Sequence, residues 1–197
     1  MINVETLLAW GATFKKVHKG EYVFREGGYA GFYFQLEEGS VRWVNVDDNG
    51  KEFIQMMVSP GECFGELPLF DGMPYAATAI ANEDSVILRL HQNTFHELLL
   101  ENPEIHFAFS KLLSERIRFK FLTLKALAYN DPELRISTML QHFKQTNKNI
   151  CSECNRINLT RQQIADMTGL RVETVIRTLR HMHDKGQLHI EKGKVYC

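Results

Sequence analysis

Apolar positions change their period along this chain. Between Lys19 and Leu90 they come in short runs rich in β-branched and aromatic residues, at 22–24, 32–34, 40–46, 53–58, 76–80 and 85–90. Gly20, Gly27-Gly28, Glu38-Gly39, Asn49-Gly50, Pro60-Gly61 and Asp71-Gly72 punctuate them. Short runs with regular turn signals predict an antiparallel sandwich or barrel. Asn49-Gly50 between two such runs predicts a hairpin. Short helical patterns at 4–9 and about 93–100 flank the strands.

From Pro103 to Tyr129 the period lengthens. Leu113, Ile117, Phe121, Leu124 and Ala128 recur at steps of three or four, Phe109 and Leu112 extend the seam, and no Gly or Pro follows Pro103. This predicts one long helix, with Asn102 as cap and Pro103 at its first position. The seam has coiled-coil period, so one side is expected on the strand domain and another on a partner copy. Asp131-Pro132 then starts a new helix, with Ile136, Met139, Leu140 and Phe143 on its buried face.

Residues 159–183 predict two helices around a tight turn. Thr160 with Gln163 three residues on is a capping box. Ile164, Ala165 and Met167 form an apolar face, and Gly169 is a left-handed stop. Leu170, Val175, Leu179 and Met182 line one side of the second helix, flanked by Val172 and Ile176. Arg171, Glu173, Arg177 and Arg180 lie opposite. Such a helix can enter the DNA major groove, where Arg177 would bond guanine and Glu173 a cytosine amino group. The pattern fits a solvated helical hairpin equally well. The alternating run 189–197 around Lys192-Gly193-Lys194 tips the balance, since a basic wing beside such helices can grip phosphates.

Charge agrees with this division. The chain carries 23 Lys+Arg against 24 Asp+Glu, yet residues 131–197 hold 11 and 7 of them, leaving the first 130 residues acidic. A local positive half is what a modular DNA binder needs. No apolar run approaches the ~20 residues that span a bilayer. The N-terminus lacks a basic start before an apolar core, so no signal peptide and no membrane association are expected. With four cysteines, a reducing cytoplasm is the expected location.

The segment Thr160-Arg161-Gln162-Gln163-Ile164-Ala165, Gly169-Leu170, Val172-Glu173-Thr174-Val175 and Arg177 resembles the DNA-binding half of the cyclic-AMP receptor and fumarate-nitrate regulator (Crp–Fnr) superfamily of bacterial transcription factors. The stretch from Lys19 to Phe70 resembles that superfamily's cyclic-nucleotide-binding β-roll. The resemblance covers nearly the whole chain. It implies an α+β fold: a β-roll or jelly roll over 1–102, a dimerisation helix and hinge over 103–130, and a winged helix-turn-helix over 131–197. It further implies a homodimer through the 103–129 helix on a palindromic double-stranded operator, with RNA polymerase as a further partner. Thr160, Arg161 and Gln162 would hold phosphates, Glu173 and Arg177 would read bases beside Val172 and Thr174, and Arg171, Arg180, Lys192 and Lys194 would add charge. The Val172-Glu173-Thr174 triplet resembles the fumarate-nitrate branch, although Ile176 stands where that branch has Ser.

Members that bind cyclic nucleotide use a Gly-Glu pair, matched by Gly65-Glu66, and an Arg-Ser pair, which falls here on Tyr75 and Ala76. Neither can neutralise a phosphate, and Arg42 and Arg89 lie outside the motif. The Thr-Ser pair that reaches the base falls on Lys120 and Phe121. Burying an unpaired anion is costly, so cyclic AMP is not the expected effector. Either an apolar pocket near Phe64, Leu67, Leu69 and Tyr75 takes another small molecule, or the interior is filled.

Cys151 and Cys154 form a CxxC, which is half of a zinc site or a redox pair; free thiols are the default. No cysteine precedes Cys63, so an N-terminal iron–sulfur cluster is not expected. His18, His91, His96 and His106 are the only nearby haem ligands, and no cofactor is assigned. The rival class is a ligand-binding regulatory protein acting through a protein partner rather than DNA. Enzymatic activity is not expected: no nucleophile–base pairing, phosphate loop or complete metal motif is present.

Overall fold

The computed structural model describes residues 2–197. The chain divides into two compact units, residues 1–113 and 114–197.

In the first unit, helix α1 (Val4–Ala9) precedes strands β1 (Thr13–Val17), β2 (Tyr22–Phe24), β3 (Phe32–Glu38), β4 (Val41–Val46), β5 (Glu52–Val58) and β6 (Cys63–Phe64). Helix α2 (Leu67–Asp71), strands β7 (Thr78–Ala81) and β8 (Ser85–His91), and helix α3 (Gln92–Glu101) follow. Two antiparallel four-stranded sheets form, ordered β1-β8-β3-β6 and β2-β7-β4-β5. They share a core that includes Phe24, Phe34, Leu36, Trp43, Phe64, Tyr75 and Ile87. The strand period explains the partition: on β3, Phe34 and Leu36 enter this core while Tyr33 faces a second cluster with Leu7, Leu90, Phe95, Leu98 and Phe109. Gln35 is buried on that second face; it accepts from Tyr33 Oη at 2.7 Å and donates to the Ile2 carbonyl at 3.0 Å. Both ends of a costly buried amide are thereby satisfied.

The hairpin predicted at Asn49-Gly50 joins β4 and β5, paired from Val41↔Val58 to Val46↔Glu52. Its loop is closed by Asp47, whose carboxylate accepts from Asn49 N and Lys51 N at 2.9 Å each. Other expectations are corrected. The 76–80 run starts as a strand only at Thr78, because the Ala76 carbonyl is taken by the Asn45 side chain at 2.8 Å. Asn102 does not cap the following helix with its side chain; its amide donates back to the Leu98 carbonyl at 2.8 Å and closes α3. Strand β1 and helix α2 had no sequence forecast.

Helix α4 (Pro103–Ala128) carries the chain from the first unit into the second. Phe109 is its buried anchor in the first unit, in edge contact with Tyr33 and Phe95. In the second unit come α5 (Pro132–Thr146), α6 (Arg161–Thr168), α7 (Val172–Asp184), β9 (His189–Glu191) and β10 (Lys194–Tyr196). Asp131 caps α5 by accepting from Glu133 N at 2.9 Å. The faces Ile136/Met139/Leu140/Phe143, Ile164/Ala165/Met167 and Val175/Leu179/Met182 are all buried. Phe119 of α4 stacks on His142 of α5 at 3.7 Å.

Candidate nucleic-acid interface

Thr160 and Gln163 cap α6 reciprocally: Gln163 N donates to Thr160 Oγ1 at 3.1 Å, and Thr160 N donates to Gln163 Oε1 at 2.8 Å. Gly169 ends the helix at φ 67°, a conformation that costs other residues about 1–2 kcal/mol. Leu170 N returns to the Ala165 carbonyl at 3.1 Å. These local bonds fix the turn, and the turn fixes which side of α7 faces outward.

That outward side is polar. Glu173, Arg177 and Arg180, at helical steps of four and three, are exposed and line one groove with Ile176, His181 and Asp184. Arg171 is exposed at the N-cap of α7, while Val172 and Thr174 are half-buried beside it. Glu173 sits in the first turn, where a carboxylate complements the helix dipole. His181 lines the groove too, although the sequence does not assign it to DNA binding, because nothing in its spacing separates a groove position from an ordinary surface histidine.

A second feature joins α6 to the wing. Arg156, Asn158, Thr160, Arg161 and Lys194 line a cleft with a backbone floor that includes Gly193 and Val195. Arg161 Nη2 donates to the Gly193 carbonyl at 3.3 Å, and burial lowers the guanidinium pKa from its ordinary value. Arg161 is thus half-buried and tied to the wing rather than extended into solvent. Gln162 is exposed and donates to Asp166 at 2.8 Å. The wing turns at Lys192 and Gly193, both left-handed (φ 45° and 74°), which matches a two-residue hairpin. Lys192 and Lys194 are exposed on it. Arg156 was also missed. Its place beside the wing comes from long-range pairing with Tyr196, which no local pattern reports.

The β-roll interior holds its own rings. Tyr75 is buried and stacks on Phe24 at 3.8 Å and 9°, and Phe24 stacks in turn on Phe34 and Phe64 at 5.8 and 6.0 Å. Gly65, left-handed at φ 69°, lies so close that an added Cβ would meet the Phe24 ring at 2.5 Å. Glu66 is fully buried, and its side chain does not cap α2. The other positions read as pocket lining fall in differing surroundings. Leu67 is exposed, Leu69 belongs to the helix-side core, and Ala76 is exposed at the surface. Lys120 and Phe121 lie on the part of α4 that belongs to the second unit, with Phe121 69% exposed. The two arginines outside the motif are engaged: Arg42 bonds Glu52 twice at 2.7 Å and Asn82 at 3.0 Å, and Arg89 lies over Phe32.

Burial pushes the Tyr75 phenol up to about 12 from 10.0. A raised pKa means the folded state favours the neutral phenol. That stability is fully present below pH 10 and is lost as pH rises through about 12. Alkaline titration by ultraviolet absorbance should therefore show late phenol ionisation accompanied by unfolding, and Tyr75→Phe should reduce the amplitude of that late step by one phenol.

Of the histidines weighed as haem ligands, His91 Nδ1 accepts from Asn93 N at 3.3 Å, His96 Nε2 contacts the Leu69 carbonyl at 2.6 Å, and His18 pairs with Asp84. Among the described residues, no group of three or more His, Cys, Asp or Glu side chains is placed to hold a metal. Nor is any helix there long and apolar enough to cross a membrane.

A capped helix pair with a polar outward face, set beside a basic wing and preceded by a β-roll, defines a DNA-binding transcription regulator. Residues 14–102 match the cyclic nucleotide-binding domain family, and residues 135–196 match the Crp-like helix-turn-helix domain family. The cAMP-activated global transcriptional regulator CRP of Haemophilus influenzae is 28% identical over 190 residues, covering 94% of this chain and 85% of that protein. The cyclic AMP receptor protein of Thermus thermophilus is 25% identical over 178 residues, covering 90% and 80%. In fold, the chain is similar to FixK2 from Bradyrhizobium japonicum (TM-score 0.78, 21% identity, 94% and 91% covered). The c-di-GMP-responsive regulator CLP of Xanthomonas campestris is similar too (TM-score 0.76, 22% identity, 98% and 96% covered). The chain belongs to the Crp–Fnr family of transcription regulators.

Proposed function

We propose that the protein binds a palindromic operator as a homodimer and does so without cyclic AMP. The observation that carries the second half is the Tyr75 ring, stacked on Phe24 at the position where nucleotide-binding members place a phosphate-binding pair. The two arginines weighed as substitutes, Arg42 and Arg89, are engaged elsewhere, and a phosphate buried without a positive partner is unfavourable.

The dimer reading rests on α4. Ile117, Phe121, Leu124 and Ala128 recur at steps of four, three and four, and the first three are 56%, 69% and 60% exposed. An exposed apolar seam at coiled-coil period is best covered by a second copy of the same helix. Phe121→Glu should then shift the protein to monomer in sedimentation equilibrium and weaken operator binding in parallel. A dimer that survives unchanged would remove α4 from the interface.

In this reading Thr160, Arg161, Gln162, Lys192 and Lys194 hold phosphates, with Arg156 added to them. Glu173 and Arg177 read base edges, and Arg171 and Arg180 contribute charge. The protein works in the cytoplasm with DNA, and RNA polymerase is its further partner. The family consists of transcription regulators, and no catalytic role is assigned.

The test is fluorescence anisotropy on a TGA-type palindromic duplex, over a salt series, with and without cyclic AMP. Binding without nucleotide is expected, with affinity falling steeply as salt rises because phosphate contacts release counterions. Binding that appears only when cyclic AMP is added would overturn the assignment of Tyr75.

A further inference from the structure

The CxxC occupies a built turn beside the interface rather than a loose loop. Ile150 and Ile157 bridge as antiparallel partners, and Cys151 N donates to the Arg156 carbonyl at 2.8 Å. Asn155 N returns to the Cys151 carbonyl at 2.9 Å, with Asn155 left-handed at φ 57°. Residues 152–154 form the turn itself. Residues three apart in a tight turn have Cα atoms within ~7 Å, and a disulfide spans ~4.4–6.8 Å. Cys154 is exposed and Cys151 half-buried, whereas Cys63 is fully buried.

We propose that Cys151 and Cys154 are a redox-active dithiol whose closure to a disulfide tightens the hold of the second unit on DNA. The regulatory half of this rests on the DNA-binding reading of that surface; the chemical half does not.

The order of reaction follows from the environments. Hydrogen bonds from Cys154 and from the Glu153 backbone lower the Cys151 thiol pKa, so Cys151 supplies the attacking thiolate. Burial raises the Cys197 thiol and makes it the poorer nucleophile. The oxidant is a low-molecular-weight disulfide such as oxidised glutathione. The Cys151 thiolate attacks one of its sulfurs, its S–S bond breaks, and one glutathione leaves as a thiolate that takes up a proton. Cys154 then loses its proton and attacks the Cys151 sulfur, expelling the second glutathione. Two protein thiols are oxidised to one disulfide while one small disulfide is reduced to two thiols.

Closure acts on DNA through Arg156. The strand leaving the turn carries Arg156, which pairs with Tyr196 of the wing, and Ile157 N bonds the Val195 carbonyl at 2.9 Å. Arg156 and Asn158 line the cleft shared with Thr160, Arg161 and Lys194. A disulfide pins that strand before DNA arrives, reducing the ordering cost of binding.

The full-length protein is reduced, exposed to oxidised glutathione, quenched in acid, alkylated and digested with trypsin. The peptide spanning residues 149–156 contains both cysteines. It should lose the mass of two hydrogens, resist alkylation, and recover on reduction. Cys154→Ser should trap one glutathionyl group on Cys151, and Cys151→Ser should leave Cys154 reacting far more slowly. A peptide that stays dithiol, or that links to Cys197 or to a second chain, overturns the proposal. On the palindromic duplex, oxidised wild type should bind several-fold tighter than reduced, and the double serine variant should ignore redox state. Equal affinities with the disulfide confirmed by mass overturn the regulatory half. Absence of binding in both states counts against the DNA-binding reading, and the mass shift then decides the dithiol independently.

Discussion

Arg177→Ala is expected to cost about 1–3 kcal/mol of specific DNA binding, a loss of roughly 5- to 150-fold. Arg177 is exposed at the centre of the α7 groove, one turn from Glu173 and nearly one turn from Arg180. Among the described residues, Arg177 makes no hydrogen bond that would have to break before its guanidinium reaches a base edge. Arg161 differs, since it already donates to the Gly193 carbonyl and serves the wing as well as the phosphate. Competition binding against a panel of operators with single base changes separates the roles. Arg177→Ala should flatten discrimination at one G·C pair, and Glu173→Ala should do so at a neighbouring pair with a smaller loss of overall affinity. Lys192→Ala should weaken all sequences alike and reduce the salt slope by about one ion. Discrimination that persists at every position in both α7 variants would remove this face from the reading set.

Gly65→Ala should be the most damaging added methyl group among the glycines that touch the aromatic rings of the first unit. The new Cβ would lie 2.5 and 2.6 Å from Phe24 and 3.1 Å from Tyr75, and the backbone there is left-handed at φ 69°. Overpacking of about 1–3 kcal/mol adds to a left-handed cost of about 1–2 kcal/mol. Together, at about 2–5 kcal/mol, they should lower the melting temperature by roughly 4–20 °C. Gly72→Ala is the control. It has the same φ of 69° but nothing within 4 Å of the added carbon, so it carries only the backbone cost. Combining Gly65→Ala with Phe24→Leu should recover part of the loss by making room. Equal melting points for the Gly65 and Gly72 variants would mean that the rings give way freely and the interior is loosely packed.

Elements written by local chemistry were legible in the sequence. The capping box at Thr160, the Gly169 stop, the Asp131-Pro132 helix start and the Asn49-Gly50 hairpin each depend on residues within about five positions of one another. The elements that escaped depend on partners far along the chain or are too short to show a period. Strand β1, with pattern Thr-Phe-Lys-Lys-Val, buries only Val17 fully and is a strand because it pairs with β8 more than sixty residues away. Helix α2 has five residues, too few for a 3.6-residue period to appear. Asn102 precedes a proline and looks like a cap, but the alternative acceptor at Leu98 is as close in sequence, and only the structure decides. For the site, the outward face of α7 followed directly from helical spacing. Arg156 did not, because its place beside the wing is set by pairing with Tyr196, forty residues away.

The stacked rings of the β-roll have a consequence for how information would enter the cell's transcription. If operator binding proceeds without cyclic AMP as proposed, a roll interior packed with its own rings is complete as soon as the chain folds. On this reading the measured variable becomes the number of protein copies. Pairing through α4 makes the active species grow with the square of that number while dimers are scarce. Doubling synthesis would then raise operator occupancy fourfold at low dose. The rate at which the cell makes and destroys this protein would then be one signal, acting beside the redox state of Cys151 and Cys154.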